Sequence, residues 1–371
     1  MKGTKFGFKF AIIGILLFAM LSFNWDRTEL EGRAFVVAIG IDAADDNGNG
    51  DRFEVHMSIA DVAAMEGKGG AEDAAILRSI SGNSLARAMG LIDAKMSETA
   101  YYGHTKAIVL GGGILEDEAL LREVADTLAR KEDINIKCII TAADGAAKDI
   151  LKAKPREQSL LGVYLSGFYN NDGANAAAAV VKLDLEGLTE SLRDTHSAVI
   201  PKVSVKKDGE SEGVAISGVA VLKNYKLEDC IEDEVMAGYL WLMEDAAGTQ
   251  IAVKYNDEYT TLFVQNSKPK LNIYEHNGKL GCYVRLRAEG SIEGGNGNAN
   301  NLQQDFANEI YREIEETIRI FRDELGVDGF GLKERLRKTN WGLYQKYGND
   351  WQRAFEGMEF TVDIDVVIRN F

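Results

Sequence analysis

Three cysteines in 371 residues, and fewer basic side chains than acidic ones, 42 against 58, already exclude several classes of protein. Cys138, Cys230 and Cys282 are an odd, widely spaced set, so neither a disulfide framework nor a zinc site is in view. A net charge of −16 leaves the chain without the basic surface that nucleic acid or anionic lipid headgroups attract. Long uncharged runs are missing too. The run from Phe10 to Phe23 has no charged side chain, yet its fourteen residues fall short of the roughly 20 that span a bilayer comfortably.

What is present around that run sets the topology. Lys2, Lys5 and Lys9 precede it, the layout of a basic region followed by the apolar core of a secretory signal, so the chain beyond Trp25 is expected outside the cytoplasm. Ala19, Met20, Leu21 and Ser22 make a poor small-x-small cleavage site. Residues 1–23 are therefore read as a signal peptide or a membrane anchor, with retention favoured and Lys9 snorkelling if the span starts at Phe6. With 46% hydrophobic and 27% charged residues, the remainder is globular, long enough for two or three domains.

Periodicity predicts the elements. Phe35 to Ile41 reads as a buried strand, and Arg52 to Asp61 as a half-buried one, with Phe53, Val55, Met57 and Ile59 inward and Glu54, His56 and Ser58 outward. The polar stretch 43–51 joins them as a hairpin, and 64–73 reads as a loop. Leu85, Ala88, Met89, Ile92 and Met96 form a helical stripe, with Ser81 or Asn83 as its cap. Strands at 106–110 and 134–141 flank a turn, 111–113, and a helix, 116–131, which suggests an α/β layer; a helix at 145–154 ends at Pro155. Residues 185–194 are predicted helical. Pro201 to Gly213, charged and glycine-containing, is predicted as the domain boundary.

Beyond it, a strand at 214–223, a helix at 228–243 and strands at 251–264, 270–275 and 280–290 predict an α+β domain. A sub-boundary is expected near 291–301. Leu302, Phe306, Ile310, Ile314, Ile318, Phe321 and Leu325 then mark the longest amphipathic helix, expected to cover a sheet. Trp341 and Trp351 lie in helical segments and are read as core or subunit-contact residues, while Phe360, Val362, Ile364, Val366 and Ile368 alternate in a final strand expected to be well packed. The predicted fold is α/β to α+β: two mixed-sheet domains, 24–200 and 201–371, or three, with packed helices.

These landmarks resemble the spore germination protein GerC family, over nearly the whole exported chain. Trp25, Asp26 and Glu29, then Gly40, Ile41 and Asp42, match its N-terminal pattern; Ser81, Gly82, Ser84, Leu85 and Ala88 match its first helix start. Gly103, His104 and Lys106 match a strand entry, Arg130 a helix end, and Gly218, Ala220, Val221 and Lys223 a later strand. Asp328, Phe330, Gly331, Trp341, Trp351 and Phe355 match the closing series. The resemblance implies the exported C subunit of a nutrient germinant receptor, on the outer face of the spore inner membrane, with integral-membrane A and B subunits as partners. One departure stands out. The family carries a lipidated Cys before Trp-Asp, and here Asn24 occupies that place, so attachment is expected through the retained apolar segment.

Other constellations are incomplete. Asp45, Asn47, Asn49 and Gly50 begin like a calcium loop, but His56 stands where the bidentate Glu belongs, so a solvated hairpin loop is the reading. Gly82-Asn83-Ser84-Leu85-Ala86 approximates a nucleophile elbow, with Asp93 and His104 as formal triad partners, though Ala86 replaces the final glycine. Gly111 to Gly113 could seat an anion, yet no Lys-Ser/Thr follows as in a P-loop. His104 is read as a hydrogen-bonded structural residue. The expectation is a non-enzymatic scaffold or coupling subunit with no catalytic residue, cofactor or metal; the rival is an exported hydrolase or stand-alone ligand-binding module.

Overall fold

The computed structural model of the chain describes residues 32–45, 48–61, 74–155, 158–170, 181–208, 211–243, 246–255, 258–294 and 299–369. The apolar segment 1–23, Trp25, Asp26, Asn47 and the loop 64–73 lie outside the described residues. Among the described residues no helix is long and apolar enough to cross a membrane.

The strand β1 (Arg33–Ala43) organises the first sheet. Val36, Ala38, Ile39 and Ile41 are all fully buried, because helices cover both faces of the strand. It pairs antiparallel with β2 (Phe53–Ala60), which pairs with β3 (Ala75–Gly82), and parallel with β4 (Thr99–Tyr101) and β5 (Ala107–Leu110). Beyond β5 come β6 (Ile139–Ala143), β7 (Ser197–Asp208), β8 (Ser211–Lys223) and β9 (Lys226–Ile231), giving a nine-stranded sheet in the order β3-β2-β1-β5-β6-β7-β8-β9 with β4 beside β1.

The helices follow the apolar spacing. On one face lie α1 (Leu85–Ala94), α2 (Gly112–Glu116), α3 (Glu118–Arg130) and α6 (Leu185–Thr195), which bury Leu85, Leu121, Val124, Leu188 and Leu192 against Ile39, Ile41 and Val55. On the other face α4 (Ala147–Lys152) and α5 (Leu161–Asn170) bury Ile150, Leu151, Leu161 and Leu165 against Ala38, Ala107 and Val109. This double cover corrects the half-buried reading of β2: His56 and Ser58 are buried as well as Phe53 and Val55. The cap of α1 is Ser84, whose hydroxyl accepts from Arg87 N at 3.3 Å, rather than Ser81 or Asn83, and β3 was not legible as a strand at all.

The second sheet runs β10 (Gln250–Tyr255), β11 (Glu258–His276), β12 (Lys279–Gly294), β13 (Glu359–Ile368). The stretches predicted as separate strands at 251–264 and 270–275 are a hairpin and one long β11. Pro269 fits within it because β10 pairs only with Glu258 to Phe263, so Pro269 lies where β11 is itself an edge. Helices α7 (Asp233–Met243) and α8 (Ala299–Arg319) cover one face, and Leu302, Phe306, Ile310, Ile314 and Phe321 are fully buried as the periodicity predicts. A π-turn, Ile320–Glu324, ends the long helix, with Leu325 N donating to Ile320 O at 2.9 Å. Next come α9 (Leu332–Thr339), α10 (Trp341–Tyr347) and α11 (Trp351–Glu356).

Pro201 to Gly213, the stretch expected as the boundary, forms the β7–β8 hairpin, where Lys206 pairs with Gly213 and Lys207 with Glu212; its polar composition is that of a solvated hairpin end. The final strand β13, expected to be well packed, is an edge strand, parallel to β12, with most of its apolar side chains half-buried. Finally, Val199, Val219, Val221 and Ile231 of the first sheet join one apolar cluster with Tyr239, Phe321, Val327 and Phe330, so the two sheets share a core at their junction.

Candidate functional site

Two carboxylates gather several of the described motif residues. Asp42, at the end of β1, accepts from Ala147 N at 2.8 Å and Lys148 N at 3.0 Å, capping α4 from across the sheet. The same carboxylate meets His56 Nε2 at 3.1 Å, and His56 Nδ1 lies 2.7 Å from Ser79 Oγ. Burial works against ionisation of Asp42, but the hydrogen bonds from His56 and the two backbone N–H groups outweigh it and hold the carboxyl below its ordinary value. Two glycines make the room. A Cβ on Gly40 would stand 3.0 Å from Leu151 Cδ1, and one on Gly111 would collide with Asp42 itself. The glycine run 111–113 therefore serves close packing and the start of α2.

The second carboxylate belongs to Asp328, in the segment between the π-turn and α9. It accepts from Leu332 N at 3.0 Å, Lys333 N at 2.8 Å and Trp351 Nε1 at 3.1 Å. Burial raises its pKa, and those hydrogen bonds oppose the rise. Gly331 takes a positive φ of 66° at the helix start, and Phe330 packs with its ring centroid 5.2 Å from Phe321. Thus Asp328, Phe330 and Gly331 form one turn, to which Trp351 of α11 is bonded.

That turn is held against the first sheet. Lys223, the last motif residue of β8, donates from Nζ to Leu325 O at 2.5 Å, and Lys333 Nζ donates to Asp194 O at 2.8 Å. Tyr239 OH donates to Gly329 O at 2.8 Å, while a Cβ on Gly329 would press on Phe321 and approach Val199. Motif residues 105 positions apart, Lys223 and Asp328, thus lie on the two sides of the same junction, linked through the segment Leu325 to Asp328. Both carry motif identity in the sequence, but nothing local unites them beyond a lysine closing an otherwise apolar strand.

The remaining sequence-derived residues do not converge. Ser84 caps α1, Asp93 accepts from Tyr102 OH at 3.2 Å, and His104 is exposed, its ring 5.4 Å from Phe35 and 5.2 Å from Tyr101. His104 is thus held by ring contacts, and the formal Ser84–Asp93–His104 triad is not assembled. Gly82 lies under α1, where a Cβ would approach Ala88 N to 3.0 Å. Trp351 is buried, but Trp341 is 57% exposed and stacks on Tyr344, so it is not a core residue. Burial pushes the Cys138 and Cys282 thiols up to about 12, which keeps them unreactive. An open groove of about 1210 Å³ between α1, α3 and α6 carries mixed charges, among them Arg122, Asp126, Arg130 and Arg193. No group of three metal-ligating side chains occurs among the described residues.

The overall fold is similar to that of the crystal structure of the GerBC protein. The two align with a TM-score of 0.59 at 16% identity, over 89% of this chain and 96% of that one. The family models "Spore germination protein N-terminal domain" and "Spore germination B3/GerAC like, C-terminal" match residues 26–205 and 217–371. The chain belongs to the GerC family of spore germination proteins, the C-subunit type of germinant receptors. In Bacillus subtilis strain 168, similar proteins include the putative spore germination protein YfkR, 24% identical over 95% of this chain and 93% of the relative. Spore germination protein KC is 24% identical over 92% and 88%, and spore germination protein A3 is 21% identical over 95% of both.

Proposed function

We propose that this chain is the non-enzymatic, membrane-anchored C subunit of a nutrient germinant receptor, held at the outer face of the spore inner membrane and assembled with integral-membrane A and B subunits. The observation that carries the reading is that the two family models, taken together, match residues 26–205 and 217–371. Such a subunit works through binding energy. By favouring one conformation of its partners it shifts a receptor equilibrium without reacting with anything. The turn at Asp328, tied to both sheets, keeps the two units in one orientation and so presents a single surface to those partners. Residues 1–23 supply the anchor, because Asn24 cannot be lipidated. Intact-mass measurement of the protein from spores tests that part: a chain starting at or near Asn24 contradicts the anchor. Co-purification from spore membranes tests the assembly. Recovery of the protein without integral-membrane partners contradicts it.

One arrangement favours the hydrolase rival. Ser79, His56 and Asp42 form a hydrogen-bonded series, with the serine exposed. Asp42 is at the same time the cap of α4 and His56 is wholly buried, which suits a structural tie among the first three strands. Ester, peptide or glycan hydrolysis abolished by Ser79→Ala would establish the rival.

A further inference from the structure

Among the described residues β13 pairs on one side only, with β12, and its other side is an open sheet edge. Arg369 N donates to Gly290 O at 2.8 Å, directly after the pair Gly290–Ile368, and this fixes the phase of the parallel ladder. Odd-numbered residues turn their N–H and C=O toward β12. Phe360, Val362, Ile364, Val366 and Ile368 turn theirs outward. The same five residues direct their side chains to the helix-covered face, where Phe360, Val362, Ile364 and Ile368 remain half-buried. Next to them a groove of about 450 Å³ runs between β13 and α8, lined by Tyr311, Ile318, Arg319, Arg322, Phe360 and Val362. Unsatisfied backbone groups and an uncovered apolar row thus lie along one edge.

Charge narrows what can cover it. On the solvent face the cross-strand register makes two rows, Lys270–Arg285–Asp363 and Lys268–Arg287–Asp365. Each row sets two cations side by side and ends on an aspartate at the open edge. Arg285 Nε and Arg287 Nη1 approach those aspartates only to 3.8 Å. A second copy of this chain is a poor occupant: antiparallel pairing about Ile364 would place Asp363 opposite Asp365 of the other copy, a like-charge pair. A strand with a basic residue beside each aspartate continues the rows with the opposite sign.

We infer that the β13 edge is a docking site for an extended segment of another protein in which apolar and basic residues alternate. Its apolar side chains would cover Phe360, Val362 and Ile364, its basic ones would meet Asp363 and Asp365, and its backbone would extend the sheet. The inference does not depend on the receptor reading. Its failure would leave the effect of the protein on germination as it is, and a germination defect would not establish it.

The test uses the purified full chain and a fluorescent peptide of alternating valine and lysine, followed by anisotropy. A control peptide of the same composition carries its lysines and valines in two blocks, which separates strand addition from attraction to a chain of net charge −16. The alternating peptide is expected to bind about tenfold more tightly than the block peptide, and Ile364→Pro, which also loses packing on the core and melts lower, to weaken it by a similar factor at a temperature where the variant is folded. That proline removes an outward N–H and none of the bonds to β12. Asp363→Lys with Asp365→Lys should switch the preference to an alternating valine–glutamate peptide. No binding of the alternating peptide, equal binding of both peptides, or an unaltered preference in the double variant overturns the proposal; a dimer lost in Ile364→Pro assigns the edge to a second copy instead.

Discussion

Trp351 donates its indole N–H to Asp328 at 3.1 Å, and this bond links the segment behind the long helix to the helix that leads into the last strand. The same carboxylate caps α9 through Leu332 N and Lys333 N. An aspartate, a glycine and a tryptophan spread over 23 positions are therefore one structural unit.

Removing its centre should be costly. Asp328→Ala leaves two backbone N–H groups and an indole without their acceptor, and is expected to lower stability by about 2 to 4 kcal/mol in urea unfolding. A loss below about 0.5 kcal/mol would mean that the turn contributes little to the fold.

The two tryptophans should separate. Trp351→Ala removes a buried ring and is expected to cost about 3 to 5 kcal/mol. Trp351→Phe, which deletes chiefly the hydrogen bond, should cost about 1 to 2 kcal/mol. Trp341→Ala, at an exposed ring, should stay within about 1 kcal/mol. Equal losses at both positions would contradict the packing described above. A defect of Trp341→Ala in assembly with intact folding would mark it as a contact residue.

The carboxylates should leave opposite marks on the pH dependence of stability. Asp42 has its folded pKa below the ordinary 3.8, so its stabilising contribution is present above that value and is lost as pH falls through the folded pKa. Asp328 has its folded pKa raised, so stability attributable to it is largest below 3.8 and declines as pH rises through the folded value. Comparing each Asp→Asn variant with the wild type by urea unfolding across this range checks the two signs. Slopes of the same sign for both differences would contradict the hydrogen-bond accounting.

Division of the chain gives a further check. A fragment ending at residue 231 keeps all nine strands of the first sheet, whereas one ending at 200 cuts through β7 and omits β8 and β9. We propose that the units part after β9, and expect the longer fragment to unfold cooperatively at a higher temperature than the shorter. The reverse order would favour a boundary at Pro201 to Gly213.

Much of this architecture was legible in local pattern. The stripe Leu302 to Phe321 and the helices beginning at Leu85 and Leu185 obey a 3.6-residue period that packing then uses. Long-range choices were not. Alternation in β2 reads as one dry and one wet face, and nothing nearby says that α4 buries His56 as well. Likewise the alternation of β13 is the same for a covered strand and for an edge, because what lies beyond the edge is decided elsewhere in the chain. The carboxylates at 42 and 328 were picked out by resemblance, but their partners at 147 and 351 are distant in sequence, where periodicity carries no information.

The protein is expected to be needed for the response to nutrients while turning over no substrate, and a deletion strain decides between this and the alternatives. Spores lacking the gene, in a background without a compensating relative, are expected to lose or delay nutrient-triggered germination while still responding to non-nutrient triggers. Complementation with the wild type, Ser79→Ala or Ser84→Ala should restore the response equally. Normal nutrient germination in the deletion strain would contradict the receptor assignment, and failure of a folded Ser79→Ala or Ser84→Ala protein to complement would contradict the non-enzymatic role.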